Sequence, residues 1–172
     1  MKRALKALAA ATGAVLVTLA LGTLFMRRDA RSIEHANELN NRMPDYIATR
    51  VAEMLNGAGK AVNGSRLLGI GVAFKGGVDD LRGSPAIDVL ERLAAKGADV
   101  RFHDPYVDTI TIGGRELRSV PADEATFADT DAVLVLTAHP QIDVHAIVAG
   151  APLVFDARGA TVGIDEPHVE RL

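Results

Sequence analysis

Residues 67–85 read Leu-Leu-Gly-Ile-Gly-Val-Ala-Phe-Lys-Gly-Gly-Val-Asp-Asp-Leu-Arg-Gly-Ser-Pro, and the reading of this stretch decides the fold. Leu67 to Phe74 carries no charge and predicts a strand covered on both faces, as a parallel sheet requires. The segment after it is polar and glycine-rich. Lys75, Asp79, Asp80 and Arg82 fall within eight residues, at the carboxyl end of the predicted strand, where open α/β sheets bind ligands. Ser84 is suited to cap a helix and Pro85 to its first turn, where a missing N–H costs nothing.

Working outward, Pro85 to Lys96 predicts a helix with Ala86, Val89, Leu90 and Leu93 inward, Asp88, Glu91 and Arg92 outward, and Gly97 as its end. Val100 to His103 predicts a second strand closed by Asp104-Pro105, so that strand, helix and strand form a right-handed crossover unit. Ile110–Ile112 and Glu116–Val120 around Gly113-Gly114 predict a hairpin. Short helices are expected over 122–129 and 144–148, and buried parallel strands over 132–137 and 152–155, the last running into Asp156-Ala157-Arg158-Gly159. Upstream, Ser32 to Leu55 has helical periodicity, with Met43, Ile47, Val51, Met54 and Leu55 on one stripe. Pro44 should kink or restart that helix, and Gly57 and Gly59 should end it. The expected fold is α/β, a Rossmann-like doubly wound domain with a mainly parallel sheet of about four or five strands. It occupies 61–172 and is preceded by one long helix over 32–60.

The chain has 172 residues and no cysteine, which excludes disulfides, thiolate metal sites and cysteine nucleophiles. Its formal charge is −3, but residues 1–31 hold six Lys/Arg and one Asp, leaving thirteen Lys/Arg against twenty-one Asp/Glu in the body. An acidic body without aromatic clusters argues against nucleic-acid binding. Residues 7–26 form an uncharged run of twenty between Lys2, Arg3, Lys6 and Arg27, Arg28, Arg31. That length suits a membrane anchor. A signal peptide cleaved near Ala20-Leu21-Gly22 is the rival, and a segment foreign to the domain is the third reading. The expected location is the cytoplasmic face, with possible anchoring through 7–26.

Gly69-x-Gly71 is part of a dinucleotide fingerprint, but Phe74 stands at the third glycine position and about ten residues separate strand from helix. A phosphate turn needs the helix N-terminus directly after the glycines, so close strand packing is the better use of these two. Lys75 is suited to neutralise a diphosphate beside the open Gly76-Gly77 backbone, against the alternative of an ordinary exposed lysine. Arg82 has the alternative of a surface salt bridge to Asp79 or Asp80. Asp104 is expected to cap its own turn. His35, His103, His139, His145 and His168 lack metal-ligand spacing, and Ser84 lies in no nucleophile elbow.

Three motifs in order, Gly-Ile-Gly-Val-Ala-Phe-Lys at 69–75, Val-Asp-Asp-Leu-Arg-Gly-Ser-Pro at 78–85 and Phe-His-Asp-Pro-Tyr at 102–106, resemble the C-terminal, nucleotide-sugar-binding domain of the UDP-glucose/GDP-mannose dehydrogenase family. The resemblance covers about 32–172. It implies that Phe74 and Lys75 contact a UDP-sugar, that Arg158 lies near that substrate, and that Arg82 reaches NAD bound by another domain. Gly83 replaces the glutamate usual in the family. Glu38 to Pro44 resembles the helix through which the family pairs its chains, implying a homodimer or a partner that supplies the N-terminal half. The family oxidises a sugar alcohol twice through a cysteine thiohemiacetal, and a chain without cysteine has no thiolate for that step. The isolated chain is therefore expected not to oxidise UDP-sugars and to have no catalytic residue of its own.

Overall fold

The computed structural model describes residues 41–172. The apolar run over 7–26, expected as an anchor, and the first part of the helix expected over 32–60 lie outside these residues. Within 41–172 no helix is long and apolar enough to cross a membrane. Residues Arg42–Leu172 form one compact unit.

Helix α1 occupies 41–57 in the described residues. The carbonyl that Pro44 would disturb belongs to residue 40, outside them. Ile47, Ala48, Val51 and Leu55 are buried in the core, Met54 packs half-buried against it, and Met43 is half-buried. Gly59, at φ +72, ends the helix in a Schellman arrangement, with Lys60 N–H donating to Leu55 O and Gly59 N–H to Asn56 O. The same arrangement recurs at Gly97, φ +90, where Ala98 donates to Leu93 and Gly97 to Ala94.

The chain then runs through β1 (Arg66–Ile70), α2 (Pro85–Ala95), β2 (Asp99–His103), β3 (Thr109–Ile112), β4 (Arg115–Arg118), α3 (Glu124–Ala128), β5 (Ala132–Val135), α4 (Val144–Gly150), β6 (Val154–Asp156) and β7 (Val169–Arg171). Five strands pair in the order β2-β1-β5-β6-β7, every pairing parallel. β3 and β4 form a separate antiparallel hairpin. Gly113 and Gly114 take φ +56 and +79 at its turn, as a two-residue loop of matching twist demands.

Strand periodicity sends alternate residues to two cores. Leu67, Val100, Phe102, Ala132, Leu134 and Phe155 meet α1, α2 and the hairpin. Leu68, Ile70, Val133, Val135 and Val154 meet α3 and α4 through Phe127, Ile147 and Val148. Helices on both faces of a parallel sheet are the doubly wound arrangement. β1 adds β2 on one side, and the chain then crosses back to place β5 on the other, so the winding reverses between β1 and β5. That switch point is where such sheets bind ligands, at the carboxyl ends of the strands.

The strand predicted to reach Phe74 stops at Ile70. Gly71 breaks it by turning to φ +77, and a Cβ built there would stand 2.1 Å from the Thr137 carbonyl oxygen. Only glycine admits both that rotation and that approach. Gly69 also has a packing reason, since its Cβ would meet the Leu90 side chain at 2.9 Å. Ser84 is the N-cap of α2 by position, but its hydroxyl makes no cap bond. It donates instead to the buried Val72 carbonyl at 2.7 Å, fastening the helix start to the loop.

Candidate functional site

Beyond Ile70 the chain makes a buried bend and then surfaces. Val72 and Ala73 are fully buried, and their amides donate to Asp104 Oδ2 at 2.8 and 3.2 Å. Thr137 Oγ1 donates to Ala73 O at 2.7 Å. Phe74 then emerges 53% exposed, followed by the exposed Lys75. Phe74 N–H donates to Asp80 O at 2.7 Å and closes residues 74–80 into a loop. At its tip Gly77 N–H donates to His139 Nδ1 at 3.1 Å. Gly76 lies so close to the strand-β5 side that a Cβ would stand 2.3 Å from Ala138 O. An aromatic residue and a lysine, adjacent in the chain, are thus exposed on a loop whose root is held by buried hydrogen bonds.

Arg158 follows β6 on the same carboxyl edge, two strands from β1 and so about 10 Å away at the usual strand spacing. Its amide donates to Asp156 Oδ1 at 2.8 Å, and Asp156 Oδ2 accepts from Thr161 N–H and Oγ1, both at 2.7 Å. Asp156 is fully buried. Burial pushes its carboxyl up, but the Thr161 amide and hydroxyl and the amides of Arg158 and Ala160 outweigh it and hold it below the usual carboxylate range. A carboxyl depressed in the folded state stabilises the fold above its unfolded value of about 4, and that contribution is lost as pH falls through the folded value. Urea unfolding at pH 5 and pH 3 should therefore show a smaller acid loss for Asp156→Asn than for the parent. Equal losses would remove Asp156 as the cause.

Arg82 does not join this pair. Its side chain is 91% exposed and grips Asp80 with two bonds, Nε to Oδ1 at 2.9 Å and Nη2 to Oδ2 at 2.8 Å. The guanidinium, with a smaller share from the Lys75 charge, lowers the Asp80 carboxyl to about 2. Among the described residues no carboxylate lies within ion-pair distance of Lys75 or Arg158. Both cations are available to an anion.

Asp104 caps its turn as expected, Oδ1 accepting from Tyr106 N–H at 2.9 Å. The sequence did not disclose its other partners, the Val72 and Ala73 amides and His139. His139, 3% exposed, places Nε2 3.0 Å from Asp104 Oδ2, and the Tyr106 ring covers it at 5.3 Å. His139 follows β5 as Lys75 follows β1, and that position at a strand end is the signal a sequence reading could have used. No metal-ligating group forms among the described residues. Two grooves, of about 330 and 410 Å³, lie away from this edge. One is between α2 and the hairpin, and the other is near the amino ends of β6 and β7.

Residues 68–163 match the family described as UDP-glucose/GDP-mannose dehydrogenase family, UDP binding domain. The UDP-N-acetyl-D-mannosamine dehydrogenase of Methanococcus vannielii is 31% identical over 111 residues, covering 64% of this chain and 24% of that protein. The UDP-glucose 6-dehydrogenase of Bacillus subtilis is 28% identical over 133 residues, covering 73% and 28%. Among solved structures, the UDP-D-ManNAc dehydrogenase of Pyrococcus horikoshii superposes with TM-score 0.63 at 28% identity, over 79% of this chain and 32% of that one. The chain therefore spans about a quarter of the length of the curated relatives it matches. With the parallel sheet, the three motifs and a family match over more than half its residues, the chain belongs to the UDP-glucose/GDP-mannose dehydrogenase family, through the UDP binding domain.

Proposed function

We propose that this chain binds a UDP-sugar at the carboxyl edge of its sheet and does not oxidise it unaided. The observation that carries the reading is the adjacency of Phe74, more than half exposed, and Lys75, without an ion-pair partner among the described residues, on a loop rooted in buried hydrogen bonds. An exposed aromatic beside a cation has no packing reason at that position. It suits a nucleotide, with the ring against an apolar face of the ligand and the ammonium on the diphosphate. Arg158 adds a planar donor on the same edge, fit for bidentate contact with phosphate or carboxylate. The named activities of the relatives, all on UDP-sugars, support the ligand class.

NAD is the cofactor implied by the family, and the residues at the switch point do not fit a dinucleotide. The space beside Gly71 is filled by the Thr137 carbonyl, and α2 begins fourteen residues beyond Gly71, too far to offer its N-terminus to a pyrophosphate there. Arg82 serves a cofactor only if one held by another domain draws it off Asp80. The thiolate that the family's covalent step needs is also absent from these 172 residues. Oxidation accordingly needs a further domain or partner chain.

Calorimetric titration of UDP and of UDP-glucuronate into the chain tests the reading, beside Lys75→Ala. Loss of one charge-assisted phosphate contact should weaken binding about tenfold or more. Incubation with NAD and UDP-glucose, a UDP-N-acetylhexosamine or GDP-mannose should yield no NADH. A folded protein that gives no binding heat overturns the ligand reading, and sustained NADH overturns the requirement for a partner.

A further inference from the structure

We propose that His139, braced by Asp104, positions the Phe74–Lys75 loop for its ligand by holding the Gly77 amide. The inference rests on the ligand reading of that loop. It starts from a pair that packing alone does not explain, because the His139 and Asp104 side chains are both 0% exposed. An acid and an imidazole are costly to bury; Asp104 has the amides of Val72, Ala73 and Tyr106 to serve, whereas the bonds of His139 go to Asp104 and Gly77.

The hydrogen bonds assign each atom a task. His139 Nδ1 faces a backbone N–H and so accepts; Nε2 therefore carries the proton and donates to Asp104 Oδ2. Asp104 fixes the ring in the tautomer that leaves a lone pair for Gly77. The same Oδ2 accepts from Val72 and Ala73, at the root of the loop. One carboxylate thus holds both sides of Lys75: Ala73, two residues before it, directly, and Gly77, two residues after it, through the imidazole. Phe74, Lys75 and Gly76 lie between these anchors, all exposed. A Cβ built on Gly77 would meet nothing within 4 Å, and its amide is held by the His139 bond.

The two ring nitrogens can be separated by substitution. His139→Gln offers a donor near the position of Nε2 and withdraws the acceptor from Gly77. His139→Asn offers an acceptor oxygen near the position of Nδ1 and withdraws the donor from Asp104. Amide exchange at Gly77, ring-nitrogen shifts of His139 and UDP titration are measured on the parent, both variants and Lys75→Ala. In the parent, Nε2 should carry the proton. His139→Gln should exchange Gly77 about tenfold faster and bind UDP about tenfold more weakly. His139→Asn should melt lower, yet keep Gly77 protected and bind UDP within about twofold of the parent. A purely structural role predicts the reverse order, with affinity following the melting temperature.

A parent protonated on Nδ1 overturns the inference, as does a His139→Gln variant that frees Gly77 yet binds UDP like the parent. Either result leaves the ligand reading standing if Lys75→Ala still weakens binding. A folded parent that does not bind UDP, or binds it no better than Lys75→Ala, overturns the ligand reading and the positioning role with it.

Discussion

Gly71→Ala should unfold the domain or leave it barely stable, with a loss of about 4 kcal/mol. Two costs combine. An L-residue held at positive φ loses about 1–2 kcal/mol, and Gly71 sits at φ +77. The methyl would also stand 2.1 Å from the Thr137 carbonyl oxygen and 2.7 Å from Thr137 Cβ. Relief requires β1 and β5 to part at the switch point, the kind of overpacking that costs about 1–3 kcal/mol. Gly77→Ala is the control. It has a similar φ of +80 but nothing within 4 Å of the new methyl, so only the conformational cost of about 1–2 kcal/mol remains. Urea unfolding of both variants separates the two contributions. Equal losses would show that the Thr137 contact yields cheaply, and that the strand ends are less tightly closed than described.

Asp104→Ala should cost about 3–5 kcal/mol, because it strands several donors at once. The amides of Val72, Ala73 and Tyr106 and the Nε2 proton of His139 all lose their acceptor. Each buried group left without a partner costs about 1–3 kcal/mol, and water entering the small space offsets part of the sum. Asp104→Asn keeps one oxygen but turns an NH₂ toward donors, so it should fall between the parent and alanine. Gly71 and Asp104 act on the same bend, so the double variant should be less destabilised than the two losses added. A loss near 1 kcal/mol for Asp104→Ala would mean that solvent already reaches these amides.

Much of the fold was legible because its signals are local. Unbroken apolar runs marked β1, β5 and β6; glycine marked the ends of α1 and α2; Gly113-Gly114 marked the hairpin. β7 was missed, since Val169-Glu170-Arg171 is a half-buried edge triplet with no apolar run. The early end of β1 was missed for another reason. Gly71 turns because of Thr137, which is far along the chain and brought near only by the β1–β5 pairing. Ser84 is where helix capping puts a serine, yet its hydroxyl serves the Val72 carbonyl, a partner that exists only once the loop folds back.

The site divides in the same way. Residue type and strand-end position pointed to Lys75, while Phe74 and Arg158 were named through the family resemblance; the sheet order brings the loops of all three to one edge. Arg82 was legible as two alternatives, and the Asp80 ion pair is the one formed in this structure. The strand-end position of His139 was legible, but its partners were not, because Asp104 and Gly77 come from two other loops and no local spacing encodes that meeting.

The strand order also sets a timetable for synthesis. β1 lies inside the sheet, but its second neighbour, β5, begins about sixty residues later. At about 5–20 residues per second on the ribosome, the growing chain keeps one flank of Leu67–Ile70 unpaired for roughly 3–12 seconds. During that interval an apolar strand edge is open to any other nascent chain. Slower translation between Gly71 and Asp131 would lengthen that exposure, so aggregation during expression should respond to codon speed in this interval more than to codon speed after β5.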